Sequence, residues 1–383
     1  MLSRICVLSV SLTTKVSQFQ SAYYGATNSG DRQFIERLWP TLTKVAAFIT
    51  GQQHGMNASG FGVPRTPHTT GRGGEWVPAN WYDEVNFGGF DAIVGVYSVQ
   101  ALEAMARLAR WISRPASEIA AFERLAGKAR VAYRAVYWDD ASGWFGEWRD
   151  LDGKLRSTGY SESCNVGPQP SRHISRQPLL PTAWPNFVAM QELANISSPA
   201  QRVRTLAAID ANYARIRRDY NVSQEGQWCT PDNLKPLAPH DCHGKCGEWP
   251  GYEQGLCFLW TTGWEIYTRA RQGDPDGAFE LFRKLLGGKA SNYSRFRTTR
   301  FWQQNNGWGS HESRQPGSGS DVLLDQIVTL WGFLRGCFGI EPTLTGLEVV
   351  HRPAKQLEGA AWSFVHLGKR RTAKVVNDAV VLQ

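Results

Sequence analysis

Ser113-Arg-Pro-Ala-Ser-Glu-Ile-Ala-Ala-Phe-Glu-Arg-Leu-Ala-Gly-Lys-Ala-Arg-Val-Ala-Tyr-Arg-Ala-Val136 is the stretch that decides how this chain reads. Ser113 offers an oxygen to the free N–H groups of a helix start, and Pro115 suits the first turn, where its missing N–H costs nothing. Ile119, Phe122, Leu125, Ala129, Ala132 and Val136 then recur at helical spacing, with charged residues on the opposite face. The spacing predicts an amphipathic outer helix.

The same grammar recurs at Ser198-Pro199 and at Asp274-Pro275. A fourth start, without Pro, is Asp31 before Phe34, Leu38, Leu42 and Val45. Val203, Leu206, Ile209, Tyr213 and Ile216 carry the period after the second. The starts lie at intervals of roughly 80 residues, long for a solenoid repeat but right for a helical hairpin with one large loop.

After each predicted outer helix comes a long polar connection, over about 51–90, 138–179, 218–250 and 288–319. A more apolar helix is expected after each, over about 91–113, 181–197, 251–271 and 320–338. The last carries Val322, Leu323, Ile327, Leu330, Trp331 and Leu334 with few charges, the mark of a helix buried on both sides. Outer helix, long loop, inner helix and short loop therefore alternate. Such alternation describes an all-α fold of the (α/α) toroid kind, with long loops gathered on one face around a cleft. Connections of that length in a compact domain are usually functional or disordered. Beyond 342 the pattern changes to short strands at Leu347–Val350, Trp362–His366 and Ala373–Val376. The expected organisation is an N-terminal segment over 1–30, a toroid over 31–342 and a short β appendage over 343–383.

Composition narrows the function. Of 383 residues, 16 are Trp, and Trp supplies either core area or a flat apolar face for stacking. The net charge is +8, but no zinc-finger, RNA-recognition or helix-turn-helix pattern accompanies it, so nucleic acid is not an expected partner. No uninterrupted apolar run has the roughly 18 residues of a membrane span. The start, Met1-Leu-Ser-Arg before Ile5 to Leu12, has the order of a short signal peptide without a clear cleavage site. Sequons at Asn57, Asn195, Asn221 and Asn292 are compatible with secretion, and cytoplasmic and secreted locations both stay open. Seven Cys is an odd number, so at least one thiol is free or paired between chains. Cys229, Cys242 and Cys246 sit in one loop with His240 and His243, where zinc, a disulfide and plain thiols all remain open. No metal and no cofactor is assigned.

Four segments give the chain a family likeness. Gly74-Glu75-Trp76 resembles a Gly-Asp-Trp loop with Glu in place of Asp, and Trp81-Tyr82-Asp83-Glu84-Val85-Asn86 leads into an inner helix. Gly307-Trp308-Gly309-Ser310-His311-Glu312-Ser313 stands where a late catalytic loop places its Glu. Gly339-Ile340-Glu341-Pro342 through Gly346-Leu347-Glu348-Val349 reads as an exit into terminal strands. Over about residues 30–365 the chain resembles the six-hairpin glycosidases, the group of α-rhamnosidase-like, glucosidase-like and trehalase-like enzymes. A closed ring of that kind has twelve helices. The count here gives four hairpins and part of an earlier inner helix, Val16 to Tyr24, so an N-terminal portion is expected to be missing and the ring open. Apolar surface near 91–113 is then expected to lie exposed or against a partner, through self-association or a missing domain.

The resemblance implies hydrolysis with inversion, and glycoside cleavage needs one carboxyl for the leaving oxygen and another for water. Candidates by place are Glu75, Asp83, Glu84, Asp91, Glu248, Glu253 and Glu312. Asp91 and Glu253 read as helix caps. Asp83, between Trp81-Tyr82 and an apolar stretch, suits a general acid, with Glu75 next. Glu312, between His311 and Arg314, suits a base. Trp76, Trp81, Trp249 and Trp308 are the candidate sugar-stacking faces, and His311 a substrate contact. Trp264 and Glu265 read as core plus a buried hydrogen bond. A polysaccharide lyase, suggested by the basic balance and Tyr82, and a non-catalytic carbohydrate-binding homologue, suggested by Glu75, are the competing readings.

Overall fold

The computed structural model describes residues 12–51, 55–57, 59–65, 89–149, 153–156, 183–219, 230, 256–257, 259–286, 305–306 and 328–383. Among them the chain is mostly α, with short strands. It divides into two compact units, 1–24 with 32–208 and 237–246, and 25–31 with 209–236 and 247–383.

The helix starts fall where the capping chemistry puts them. Helix α1 covers Leu12–Ser29, and α2 covers Arg32–Thr50, opening directly after Asp31. Helix α4 covers Ala116–Tyr137, α6 covers Pro199–Asp219 and α8 covers Pro275–Leu286. At α6, Ser198 Oγ accepts from the Gln201 amide at 3.2 Å and Gln201 Oε1 accepts from the Ser198 amide at 2.9 Å, a reciprocal capping box. At α8, Asp274 Oδ1 accepts from the Gly277 amide at 2.9 Å. Ser113 is the exception to the expectation. Pro115 occupies the cap position with no side-chain bond, while Ser113 sits at φ 59° and its Oγ accepts from Arg32 Nη2.

In the first unit, α3 (Ala92–Trp111) packs against α2, α4 and α5 (Ala183–Ala189). It is buried almost all round, with Ile93, Val96, Val99, Leu102 and Met105 at 0–1% exposure. By length and composition α3 could cross a membrane, and its position as a core helix accounts for that composition. The expected exposed surface near 91–113 is therefore not found, because neighbouring helices of the same unit cover it. Helix α4 buries Phe122, Ala126, Ala129, Tyr133, Val136 and Tyr137, a face turned slightly from the predicted one, which leaves Ile119, Leu125 and Ala132 half-buried.

A polar thread also runs through this core. Gln20 of α1 donates to Gln100 of α3, and Gln100 donates to Gln191, just past α5, at 2.8 Å. Arg107 of α3 holds Glu103 at 2.9 Å and Glu192 at 2.7 Å, and Arg130 of α4 reaches the same Glu103.

The connection after α4, expected as a polar loop, instead pairs back on itself. Strands β2 (Trp138–Asp139) and β3 (Trp144–Phe145) form a hairpin, while β1 (Phe90–Asp91), β4 (Trp148–Arg149) and β5 (Leu155–Arg156) form a three-stranded sheet. Its aromatic residues favour strands, and Asp139 builds the hairpin turn by accepting from the Ala141 and Ser142 amides.

In the second unit, β6 (Leu256–Cys257) pairs with β7 (Asn305–Asn306). Helix α7 (Leu259–Arg271) packs against α8 and against α9 (Val328–Gly332), which continues as a π-helix over Phe333–Cys337. Gly263 and Gly332 make that crossing close. A Cβ on Gly263 would stand 2.4 Å from the Val328 carbonyl oxygen, so nothing larger fits without moving a helix.

The C-terminal strands are β8 (Ile340–Pro342), β9 (Leu347–Val349), β10 (Ala361–His366), β11 (Lys369–Val376) and β12 (Ala379–Leu382). The three expected strands are present, joined by β8 and β12. Strands β10, β11 and β12 form an antiparallel sheet in that order. Asn377 and Asp378, both at positive φ, turn the last hairpin, and the Glu358 carboxylate accepts from both of their amides. These strands share one core with the helices: Ile266 of α7, Phe282 of α8, Phe333, Ile340, Ala373 and Val375 belong to a single cluster. Cys337 in that cluster is a free thiol, pushed well above its ordinary pKa by burial.

Candidate functional site

The sequence-selected residues Glu75, Trp76, Trp81, Asp83, Trp249, Trp308, His311 and Glu312 lie outside the described residues, as do Glu84, Glu248, Glu253 and the cysteine loop at Cys229, Cys242 and Cys246. What the structure positions is the frame around α3 and α7, and several polar groups buried there.

Asp91 is the cap its sequence position suggests. Its Oδ1 accepts from the Ile93 amide at 2.7 Å and from the Val94 amide at 3.4 Å, and the residue is fully buried. The oxygen that answers the first-turn amides of α3 is thereby committed to the helix and not to a solvent-facing reaction.

Glu147 was not singled out by its sequence position. It is fully buried, and its carbonyl accepts from the Ala92 amide at 2.9 Å, which sets it beside the start of α3. The neighbouring Gly146 amide donates to the Tyr137 carbonyl at 2.7 Å, so this tripeptide ties the end of α4 to the beginning of α3. A signal for it does exist. Gly-Glu-Trp occurs at 146–148, at 74–76 and at 247–249, each time within a long connection.

Tyr133 and Tyr137 pack on Gly95, one turn into α3, with ring centroids 4.6 Å apart. Both hydroxyls are fully buried and have no hydrogen-bond partner among the described residues. Burial first, and then the Asp91 charge, pushes the Tyr133 hydroxyl well above its ordinary pKa. Burial is also the largest cause for Tyr137, with Tyr133, Asp91 and Arg149 acting after it. Both therefore remain neutral donors throughout the physiological range. The start of α3 combines two buried carboxyl residues with two neutral hydroxyls, an arrangement that can hold a proton or a water but offers no exposed nucleophile.

A further buried carboxylate is Glu265 of α7, which the sequence reads as a buried hydrogen bond. It is 3% exposed. Tyr213 donates to its Oε2 at 3.0 Å, Thr230 donates to the same oxygen, and Arg269 Nε donates to its Oε1 at 2.6 Å. Arg269 in turn holds Asp210 at 2.6 Å. Together these bonds join α6, α7 and Thr230, so Glu265 is a structural anchor. No protein-family model matches the chain, and no curated protein sequence matches it significantly.

Proposed function

We propose that this chain is a glycoside hydrolase built on an (α/α) toroid of the six-hairpin glycosidase kind, with Asp83 as general acid and Glu312 as general base. The observation that carries the reading is the contact between the helices that the sequence reads as inner ones. Gln20 of α1, Gln100 of α3 and Gln191 beyond α5 form one hydrogen-bonded thread in the first unit, and α7 packs on α9 in the second. Helices α2, α4 and α8 each follow a short connection and pack against one of these. Inner helices touching inner helices, with outer ones behind, is the neighbour pattern of hairpins arranged around an axis.

The chemistry follows from two carboxyls on opposite sides of a glycosidic bond. Asp83 gives its proton to the leaving oxygen as the anomeric carbon–oxygen bond breaks. Glu312 takes a proton from a water whose oxygen bonds to the anomeric carbon, and configuration inverts. Glu75 supports the acid, while Trp76, Trp81, Trp249 and Trp308 stack on sugar rings and His311 contacts a hydroxyl.

The test uses a panel of aryl and natural glycosides, with the product anomer read by NMR. Glu312→Gln and Asp83→Asn should each lose about 10²–10⁴ in rate. An activated aryl leaving group needs little protonation, so it should partly rescue Asp83→Asn and not Glu312→Gln. Equal rescue of both, or rates near wild type in either, removes the assignment. An unsaturated uronate absorbing in the ultraviolet would instead identify a lyase.

A further inference from the structure

We propose that the outer face of the C-terminal sheet, strands β10 to β12, is a docking surface for an anionic polysaccharide. The register of the sheet decides which side chains share that face. Trp362, Phe364, Ala373, Val375, Val380 and Leu382 turn inward onto the core of the second unit. Their alternates turn outward. Val365 opposes Arg370, Ser363 opposes Thr372, and Lys374 opposes Val381, while Thr372 and Gln383 exchange both backbone hydrogen bonds. Val365 is 52% exposed and Val381 44%, and Ser363, Arg370, Lys374 and Gln383 are exposed beside them.

The charge on this face has one sign. Arg370 and Lys374 flank Thr372 on β11, and Lys369 is exposed at the start of the strand. Among the described residues, no carboxylate forms an ion pair with Lys369, Arg370 or Lys374. Asp378 is the only acidic residue in 361–383, and it lies in the β11–β12 turn, where Glu358 accepts from the Asn377 and Asp378 amides. These two carboxylates gather at one end of the sheet. The other end is fixed to α1, since the Leu367 and Gly368 amides donate to the Thr27 and Asn28 carbonyls, each at 2.8 Å. Asp31, just past that anchor, is not an ion-pair partner of Lys369 or Arg370.

Charge complementarity selects a polyanion, and the spacing of the cations selects its kind. Arg370 and Lys374 stand four residues apart on one strand, about 13 Å in extended backbone. Nucleic acid carries a charge every ~3.4 Å along each strand, so most of its phosphates would meet no cation here. The outer face also lacks the aromatic rings on which single-stranded bases stack. Val365 and Val381 are too little apolar surface to anchor the face in a bilayer. Between the two cations lie Thr372 and Ser363, with hydroxyl oxygens 3.0 Å apart, and Gln383. Such groups both donate to and accept from sugar hydroxyls. Widely spaced carboxylates with hydroxyls between them describe an acidic polysaccharide. The choice of a sugar polymer rests on the reading of the chain as a carbohydrate enzyme, whereas the face itself involves neither Asp83 nor Glu312.

Electrophoresis of the full chain through gels containing polygalacturonate, with calorimetric titration beside it, tests the surface without turnover in the readout. Retardation that weakens with rising salt is expected, and none by neutral dextran. Arg370→Gln and Lys374→Gln together should weaken binding about tenfold or more. Thermal unfolding of that double variant should stay unchanged, because both side chains are exposed and unpaired among the described residues. Thr372→Val keeps a β-branched residue in the strand, removes the hydroxyl and should weaken binding about threefold. Equal affinity for poly-L-glutamate, single-stranded DNA or phosphatidylserine vesicles overturns the choice of partner. No binding of polygalacturonate, or undiminished binding by the double variant, overturns the surface. Hydrolysis lost in Glu312→Gln with docking intact supports the surface, and docking without hydrolysis in wild type removes only the glycosidase reading.

Discussion

Helices α3 and α7 each follow a long connection and precede an amphipathic helix, yet they are buried by different chemistry. Helix α3 is enclosed through Ile93, Val96, Val99, Leu102 and Met105, with polar groups at its N-terminal end and along the glutamine thread. Helix α7 is buried just as deeply around polar side chains: Thr261, Thr262, Glu265 and Thr268 are each at most 3% exposed. Apolar packing tolerates small adjustments, since any well-shaped side chain can fill the space. A buried ion pair tolerates few, because removing one member leaves the other uncompensated. The contrast teaches that burial alone does not say how a helix is held.

The largest effect expected from this contrast is at Glu265. Glu265→Ala removes the acceptor shared by Tyr213 and Thr230 and one of the two carboxylates on Arg269, and should cost about 3–5 kcal/mol in urea unfolding. Leu102→Ala in α3 leaves a cavity but no orphaned charge, with an expected cost of about 3 kcal/mol. If Leu102→Ala proves the more damaging, the polar network of α7 is not what holds that helix. Gly263→Ala sharpens the comparison from the backbone side. Its Cβ would meet the α9 backbone 2.4–2.7 Å away, and a loss of about 1–3 kcal/mol is expected.

The smallest effect is at the surface pair between Asp276 and Arg352. Hydrogen bonding to Arg352 is the main reason that the Asp276 carboxyl lies low, at a pKa of about 2. A carboxyl depressed below its ordinary value contributes stability that is present above about pH 4 and is lost as pH falls through about 2. Asp276→Asn should therefore lower stability slightly at neutral pH, since exposed pairs contribute little, and flatten the acid limb of a stability–pH curve by the same small amount. An unchanged acid limb would show that other carboxylates govern acid unfolding.

Much of the helical layout was legible because capping and periodicity are local. Asp31, Ser198 and Asp274 announce α2, α6 and α8 within a residue, and Asp91 was recognisable as a cap from its place before an apolar run. Glu265 was equally legible as a buried hydrogen bond, since a lone carboxylate within an apolar helix must find donors. Ser113 was not, because it turns into the left-handed region itself, leaving the cap position to Pro115 and its hydroxyl to Arg32.

The strand pairs within the long connections escaped reading for another reason. A strand of two residues, such as β3 or β4, has no period to detect, and β4 pairs with β1, far back along the chain. Glu147 shares that fate, since its carbonyl meets Ala92 only after β1 and β4 pair.

By itself, then, the sequence determined where helices begin, which faces are apolar and that the chain is mostly α, since these depend on neighbours within a few residues. Tertiary structure decided which polar groups are buried together. The joining of Gln20, Gln100 and Gln191 and the closure of Tyr213 and Thr230 on Glu265 both unite residues far apart in sequence. Hydrogen bonds and charges act over a few ångströms, so only the folded chain selects those partners.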